Sequence, residues 1–142
     1  MGYRRSSHAV YDTKYHIVWI PKYRKEIFAG RPGERLKEIF VEIAEQYGME
    51  IDTMEVMPDH VHLFLSFPPK YSISEAVKIL KNWSARRMFE EFKWLERKLW
   101  GGELWGDGYF VRTVGDKVTA DVIRRYLEYQ KHEDSSSQLE LF

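Results

Sequence analysis

Within residues 57–67, Met-Pro-Asp-His-Val-His-Leu-Phe-Leu-Ser-Phe, every second residue from Val61 to Phe67 is apolar and a His-x-His opens the intervening set, a period of two. Successive side chains on a β-strand point to opposite faces, so His60, His62, Phe64 and Ser66 share one face and Val61, Leu63, Leu65 and Phe67 the other. The second set is wholly apolar and predicts a core face. The chain must therefore cover this strand on one side and leave its histidines on the other. Two imidazoles on the non-core face make a natural pair of metal ligands. A His-x-His alone is more often two polar residues facing water. It becomes a site only with a third ligand and a reactive group.

The neighbouring segments supply the strand's partners. Residues 13–20 are β-branched and aromatic and predict a strand that Pro21 stops. Gly30-Arg-Pro-Gly33 predicts a turn. Leu36, Ile39, Phe40, Ile43, Ala44 and Tyr47 recur at helical spacing over residues 34–47, and Gly48 is the expected C-cap. Residues 49–56 predict a strand forming a hairpin with the histidine strand, which Pro68-Pro69 ends. Ser72 or Ser74 is the expected cap of a helix running to about Phe92 through Val77, Leu80, Ala85, Met88 and Phe89. Residues 93–104 carry no decisive pattern. After Gly106-Asp-Gly108, residues 109–114 alternate like a fourth strand. Residues 120–132 predict a last helix with Thr119 as cap.

Strand, helix, strand, strand, helix, strand is an α+β order, the ferredoxin-like βαββαβ pattern, an antiparallel sheet with both helices on one face. The extra C-terminal helix must then pack on the face that carries His60 and His62, in this subunit or in a partner. On it Tyr126 and Gln130 lie four apart and share a side, whereas Tyr129, adjacent to Gln130, points about 100° away. A phenol and an amide oxygen can thus meet two imidazoles. On the helix alone, the plainer reading is a core-facing Tyr126 with a solvated Gln130.

A length of 142 residues predicts one domain, 1–142, with 1–12 and 133–142 as flexible tails. No run of eighteen apolar residues suggests a membrane span. With no cysteine there is no disulfide or thiolate zinc site, which fits a cytoplasmic protein. Basic and acidic side chains number 22 each, which argues against a general nucleic-acid-binding surface but not against a local patch. Lys22, Arg24 and Lys25 flank Tyr23, and Lys78, Lys81 and Arg86 flank Trp83. These are candidate nucleic-acid contacts, combining phosphate pairing with base stacking, although each cluster taken singly is more often an ordinary solvated face.

Four blocks, His16-Ile-Val-Trp-Ile-Pro-Lys-Tyr-Arg24, Met57-Pro-Asp-His-Val-His62, Trp105-Gly-Asp-Gly-Tyr-Phe-Val-Arg-Thr-Val-Gly115 and Tyr126-Leu-Glu-Tyr-Gln130, stand in an order and spacing that resembles the single-tyrosine HUH transposases of the insertion sequence 200-like group (the 200/605 family). The resemblance implies that His60 and His62 are metal ligands, Gln130 the third ligand and Tyr126 the nucleophile. It implies cleavage and rejoining of single-stranded DNA through a 5′-phosphotyrosine, recognition of hairpins, and a homodimer whose subunits share active sites. The imidazole and amide donors suit Mg²⁺ or Mn²⁺; zinc is open by ligand type, and would be better served by a carboxylate such as Asp59 or Glu55 beside the histidines. Two alternatives stay open. One is a single-stranded nucleic-acid-binding module like an RNA-recognition domain, which would place stacking aromatics where the histidines are. The other is a domesticated HUH nickase, separable only by genetic context.

Overall fold

A computed structural model describes residues 4–5, 10–11, 13–99, 102–113 and 124–128. Two short strands come first, β1 (Arg4–Arg5) and β2 (Val10–Tyr11), paired antiparallel. They lie within the stretch expected to be a tail. Arg4 pairs there with Glu50 and Asp52, the latter at 3.2 Å.

The main sheet is built around β5 (His60–Ser66), which a Pro58-Asp59 turn joins to β4 (Glu50–Met57). β3 (Tyr15–Trp19) pairs with the other edge of β5, and β6 (Phe110–Thr113) pairs with β3. The order is β4-β5-β3-β6, with every pair antiparallel. Val61, Leu63 and Leu65 are buried as their alternation requires, and His60, His62 and Phe64 are half-buried. Ser66 departs from the pattern: it shares the histidine face yet is buried.

Two helices, α1 (Arg31–Gln46) and α2 (Ile73–Glu91), cover the apolar face. Leu36, Ile39, Phe40 and Ile43 of α1 and Ala76, Val77, Leu80 and Met88 of α2 join Ile17, Trp19, Val61, Leu63 and Leu65 in one core. Ser72, not Ser74, caps α2. Its hydroxyl accepts from the Glu75 N–H at 3.0 Å while the Glu75 carboxylate accepts from the Ser72 N–H at 3.1 Å. Gly48 sits just past α1 at φ 68°, the left-handed position that closes such a helix.

The start of α1 corrects the expected turn at 30–33. Arg31, Pro32 and Gly33 are helical, because proline fits the first helical turn, where no N–H partner is needed. Gly33 is required by packing, since a Cβ there would lie 2.1 Å from the carbonyl oxygen of Phe28. Gly33→Ala gains up to about 1 kcal/mol of helix propensity. A backbone oxygen that close cannot yield locally, so overpacking of about 1–3 kcal/mol or more decides the sign. Thermal unfolding should show a lowered Tm, and an unchanged or raised Tm would contradict this contact.

Residues 93–104, unreadable in sequence, contain the short helix α3 (Trp94–Lys98), which buries Leu95. Leu99, Leu104 and Trp105 follow it into the core. Trp105 meets the rings of Trp19, Phe28 and Phe40 with centroids 5.8, 5.2 and 6.3 Å away, and its indole N–H donates to Ser84 Oγ at 3.0 Å. This pins the crossing into β6. Among the described residues, no helix is long and apolar enough to cross a membrane.

Candidate active site

The free face of the sheet is a grid set by strand register. His62 lies opposite Glu55 on β4 and Val18 on β3, and Val18 lies opposite Phe110 on β6. Directly opposed residues of antiparallel strands share a face, so Glu55, His62, Val18 and Phe110 form one row across it. The next row holds Phe64, His16 and Arg112. His16 stacks on Phe64 at 4.8 Å, and its Nδ1 lies 3.1 Å from Nε2 of His62. Burial holds the pKa of His16 below its usual value. Burial, and then the neighbouring His16, do the same for His62. Both rings are therefore neutral near pH 7, the form in which an imidazole ligates a cation.

His60 stands at the mouth of the hairpin, and its Nδ1 is 2.9 Å from Oδ1 of Asp59. Burial works to raise the Asp59 pKa. The His60 hydrogen bond and the Arg24 charge outweigh it and hold the carboxyl below its usual range. A carboxylate only accepts, so His60 donates from Nδ1 and keeps its lone pair on Nε2.

Residues 124–128 are helical. Tyr126 and Leu127 pack on Val18, Ile20 and Phe110, a second small cluster on the sheet face opposite the core. The Tyr126 and Phe110 rings are 5.8 Å apart, and the tyrosine hydroxyl is buried. The tyrosine thus lies over the row that contains His62, on the sheet of its own chain. Among the described residues, no group of three or more His, Asp or Glu is placed to hold a metal ion. The expected third ligand, Gln130, and the competing Tyr129 lie outside the described residues, as do Thr119 and the 133–142 tail.

Most of the expected DNA contacts have internal partners. Lys22 pairs with Glu103 at 3.0 Å, and Lys25 donates to the Lys98 carbonyl at 2.7 Å. Arg24 binds Asp59 Oδ2 at 2.9 Å and the Leu127 carbonyl at 3.2 Å. Lys81 donates to the carbonyls of Gly106 and Gly108 at 3.0 and 2.7 Å. Lys78 is exposed, and Arg86 lies 5.7 Å over the ring of Trp83 and 3.9 Å from Glu90. A cleft of about 670 Å³ runs between this part of α2 and residues 102–108. Sequence reading missed the Arg24–Asp59 contact and the part played by His16. The place of Asp59 directly before His60 was the available signal for the first.

Burial pushes Lys81 down to about 8 from 10.5, against the nearby Asp107 charge. Between those values the unfolded chain holds a proton that the folded chain releases, so stability rises with pH through that window. Below it both states are protonated and the cost of burial is present in full. Wild-type stability should therefore climb relative to Lys81→Met as pH rises from neutrality past the window, as measured by urea unfolding. A constant difference would contradict the depressed pKa.

Residues 9–130 match the family described as "Transposase IS200 like". The ISDra2 transposase TnpA of Deinococcus radiodurans is 48% identical over 121 residues, covering 85% of this chain and 86% of that protein. The transposase for insertion sequence element IS200 of Salmonella typhimurium is 37% identical over 139 residues, covering 97% and 90%. The crystal structure of a candidate transposase from Deinococcus radiodurans R1 superposes with a TM-score of 0.80 at 42% identity, covering 89% of this chain and 97% of that one. A REP-associated tyrosine transposase bound to a REP hairpin shares the fold at a TM-score of 0.52 and 15% identity, covering 91% and 69%.

Proposed function

The chain belongs to the IS200-like transposase family, and from that we propose that it cleaves and rejoins single-stranded DNA through a phosphotyrosine formed on Tyr126. The observation that carries this reading is the shared sheet face. Tyr126 packs on Val18 and Phe110, and those residues continue the cross-strand row of His62. We read the strand order as ferredoxin-like and residues 124–128 as part of the C-terminal tyrosine helix. A base-stacking module is less well supported, because Tyr126 and Leu127 cover part of the face such a platform would leave open.

The donor set fits a divalent cation. His60 keeps Nε2 for a ligand because Asp59 takes its Nδ1–H, and burial keeps His62 neutral. His60 and His62, with Gln130 as third ligand, would hold Mg²⁺ or Mn²⁺. Such an ion supplies positive charge against the phosphate oxygens of the scissile bond. The His62 Nε2 that lies against His16 is the atom this role would have to free.

The chain's own contribution is the nucleophile and its placement. A tyrosine hydroxyl has a reference pKa near 10, so its oxygen must lose a proton as it attacks. The Tyr126 oxygen bonds to phosphorus, the bond from phosphorus to the 3′-oxygen breaks, and that oxygen leaves as a 3′-hydroxyl after taking up a proton. Attack by another 3′-hydroxyl reverses the step and joins strands without ATP.

Hairpin-bearing single strands are the proposed substrate. Trp83 and Arg86, which line the cleft, and the exposed Lys78 on the same helix are candidate contacts for stacking and phosphate pairing. Affinity for a hairpin should fall steeply with salt as neutralised phosphates release counterions. Reversing the charge of Lys78 and Arg86 should flatten that slope, and an unaltered slope removes them from the interface. The proposal includes a homodimer. Mixing His62→Ala and Tyr126→Phe proteins restores activity if the tyrosine segment passes between subunits, and restores none if it stays on its own sheet.

The test of the reaction is a pool of hairpin oligonucleotides with randomised single-stranded flanks, incubated with protein and Mn²⁺. A covalent protein–DNA species and a fragment ending in a 3′-hydroxyl are expected, both lost in excess EDTA. Persistence of cleavage in EDTA, or cleavage without any covalent species, would sink the proposal.

A further inference from the structure

We propose that Arg24 is a positioning residue that sets a metal ligand and the nucleophile-bearing segment with one side chain. The inference rests on the function proposed above and names the parts that hold its two halves together. Arg24 Nη1 donates to the Leu127 carbonyl at 3.2 Å, next to Tyr126. Its Nε donates to Asp59 Oδ2 at 2.9 Å, and the other Asp59 oxygen takes the His60 ring at 2.9 Å. Each carboxylate oxygen therefore serves one partner. The path runs from the backbone beside Tyr126 to the ring of His60 without a gap.

Guanidinium suits this task because its nitrogens form a rigid planar fork, which fixes the separation of two acceptors. An ammonium offers one nitrogen on a flexible stem and can hold only one of them well. The Arg24 and Asp59 side chains are 21% and 22% exposed, so their ion pair is only partly screened by water. The backbone also favours a dedicated placement. Tyr23 and Arg24 lie at φ 59° and 50°, the left-handed region that residues with a Cβ seldom occupy. This turn is held by the Arg24 N–H to the Pro21 carbonyl and the Lys22 N–H to the Leu104 carbonyl, both at 2.8 Å. Observed strain of this kind is concentrated where surrounding structure enforces a functional geometry. At the far end, the carboxylate fixes which His60 nitrogen carries the proton. In metal centres, such partners orient the ligand and raise its basicity.

An ordinary surface ion pair would explain the same distances, and it predicts a different result. Removing it would shift melting temperature alone. The positioning role instead predicts separate effects on ion affinity and on reaction rate. Two quantities are measured on the full chain: Mn²⁺ affinity without DNA, from the EPR signal of free Mn²⁺, and the single-turnover rate of adduct formation with the hairpin pool at saturating Mn²⁺. Asp59→Asn should weaken Mn²⁺ binding by about 10–100-fold. Arg24→Lys keeps a charge for Asp59 but cannot span to Leu127, so Mn²⁺ affinity should stay near wild type while the adduct rate falls about tenfold or more. Arg24→Gln should lose both. Wild-type affinity in Asp59→Asn, a wild-type rate in Arg24→Lys, or changes confined to melting temperature would overturn the proposal. So would a wild-type protein that binds no Mn²⁺. Wild-type protein that binds Mn²⁺ but forms no adduct refutes the proposed reaction instead, and the Asp59→Asn affinity still decides the His60 half of the inference.

Discussion

Tyr126→Phe should fold, bind Mn²⁺ and hairpin DNA, and form no covalent adduct. The expected fall in adduct formation is about 10⁴-fold or more, the scale seen when a nucleophile is removed and the rest of a site is left intact. Phenylalanine is the informative substitution because the ring packs on Phe110, Val18 and Ile20, and that packing is kept. Only the buried hydroxyl is lost. A hydrogen bond is worth about 1 kcal/mol net, so Tm should move by a few degrees at most. Tyr129→Phe should go on forming the adduct. The opposite pattern would move the chemistry to Tyr129 and break the functional link drawn between Tyr126 and the row of His62.

His62→Ala should abolish metal-dependent cleavage and leave the fold intact. The side chain lies off the main core, on the face opposite α1 and α2, so its removal opens no cavity among Ile17, Leu63 and Leu65. What it removes is one of the two proposed imidazole donors and the contact to His16 Nδ1. Cleavage should fall to the level wild type shows in excess EDTA, and Mn²⁺ binding should be lost with it. His60→Ala should behave alike. His16→Ala discriminates, because His16 lies beside His62 without being an expected ligand; it should keep Mn²⁺ binding. Full activity in His62→Ala would remove the metal from the account.

What the sequence revealed was local. The alternation at 57–67 predicted β5, its buried Val61, Leu63 and Leu65, and a histidine face away from both helices, because a period of two needs no knowledge of the rest of the chain. The cap of α2 was legible only as Ser72 or Ser74, and the pairing of Ser72 with Glu75 in the structure decides for Ser72. The start of α1 was not legible. Gly-Arg-Pro-Gly reads as a turn by composition, and the reason Gly33 is helical is the Phe28 carbonyl against it, a tertiary fact. Residues 93–104 were opaque because Leu95, Leu99 and Leu104 reach the core through one short helix and an irregular crossing, which has no period.

The same division runs through the site. His60, His62 and Tyr126 could be named as candidates from spacing and family resemblance. The place of His16 against His62 depends on the register of β3 with β5. The contacts of Arg24 depend on a left-handed turn that brings residues 24, 59 and 127 together. A basic cluster beside a tyrosine looked like a phosphate contact because charge is visible in sequence and a distant partner is not.

The most direct measurement of the central claim is the position of the covalent bond. Wild-type protein trapped with the hairpin pool and Mn²⁺ is digested with nuclease and trypsin, and the nucleotide-bearing peptide is fragmented in a mass spectrometer. Cleavage after Arg125 and Lys131 leaves a peptide, residues 126–131, that contains both candidate tyrosines. Fragment ions should place a single phosphate-linked nucleotide on Tyr126 and none on Tyr129, in wild type and in Tyr129→Phe alike. A nucleotide on Tyr129 or on any other residue would contradict the account.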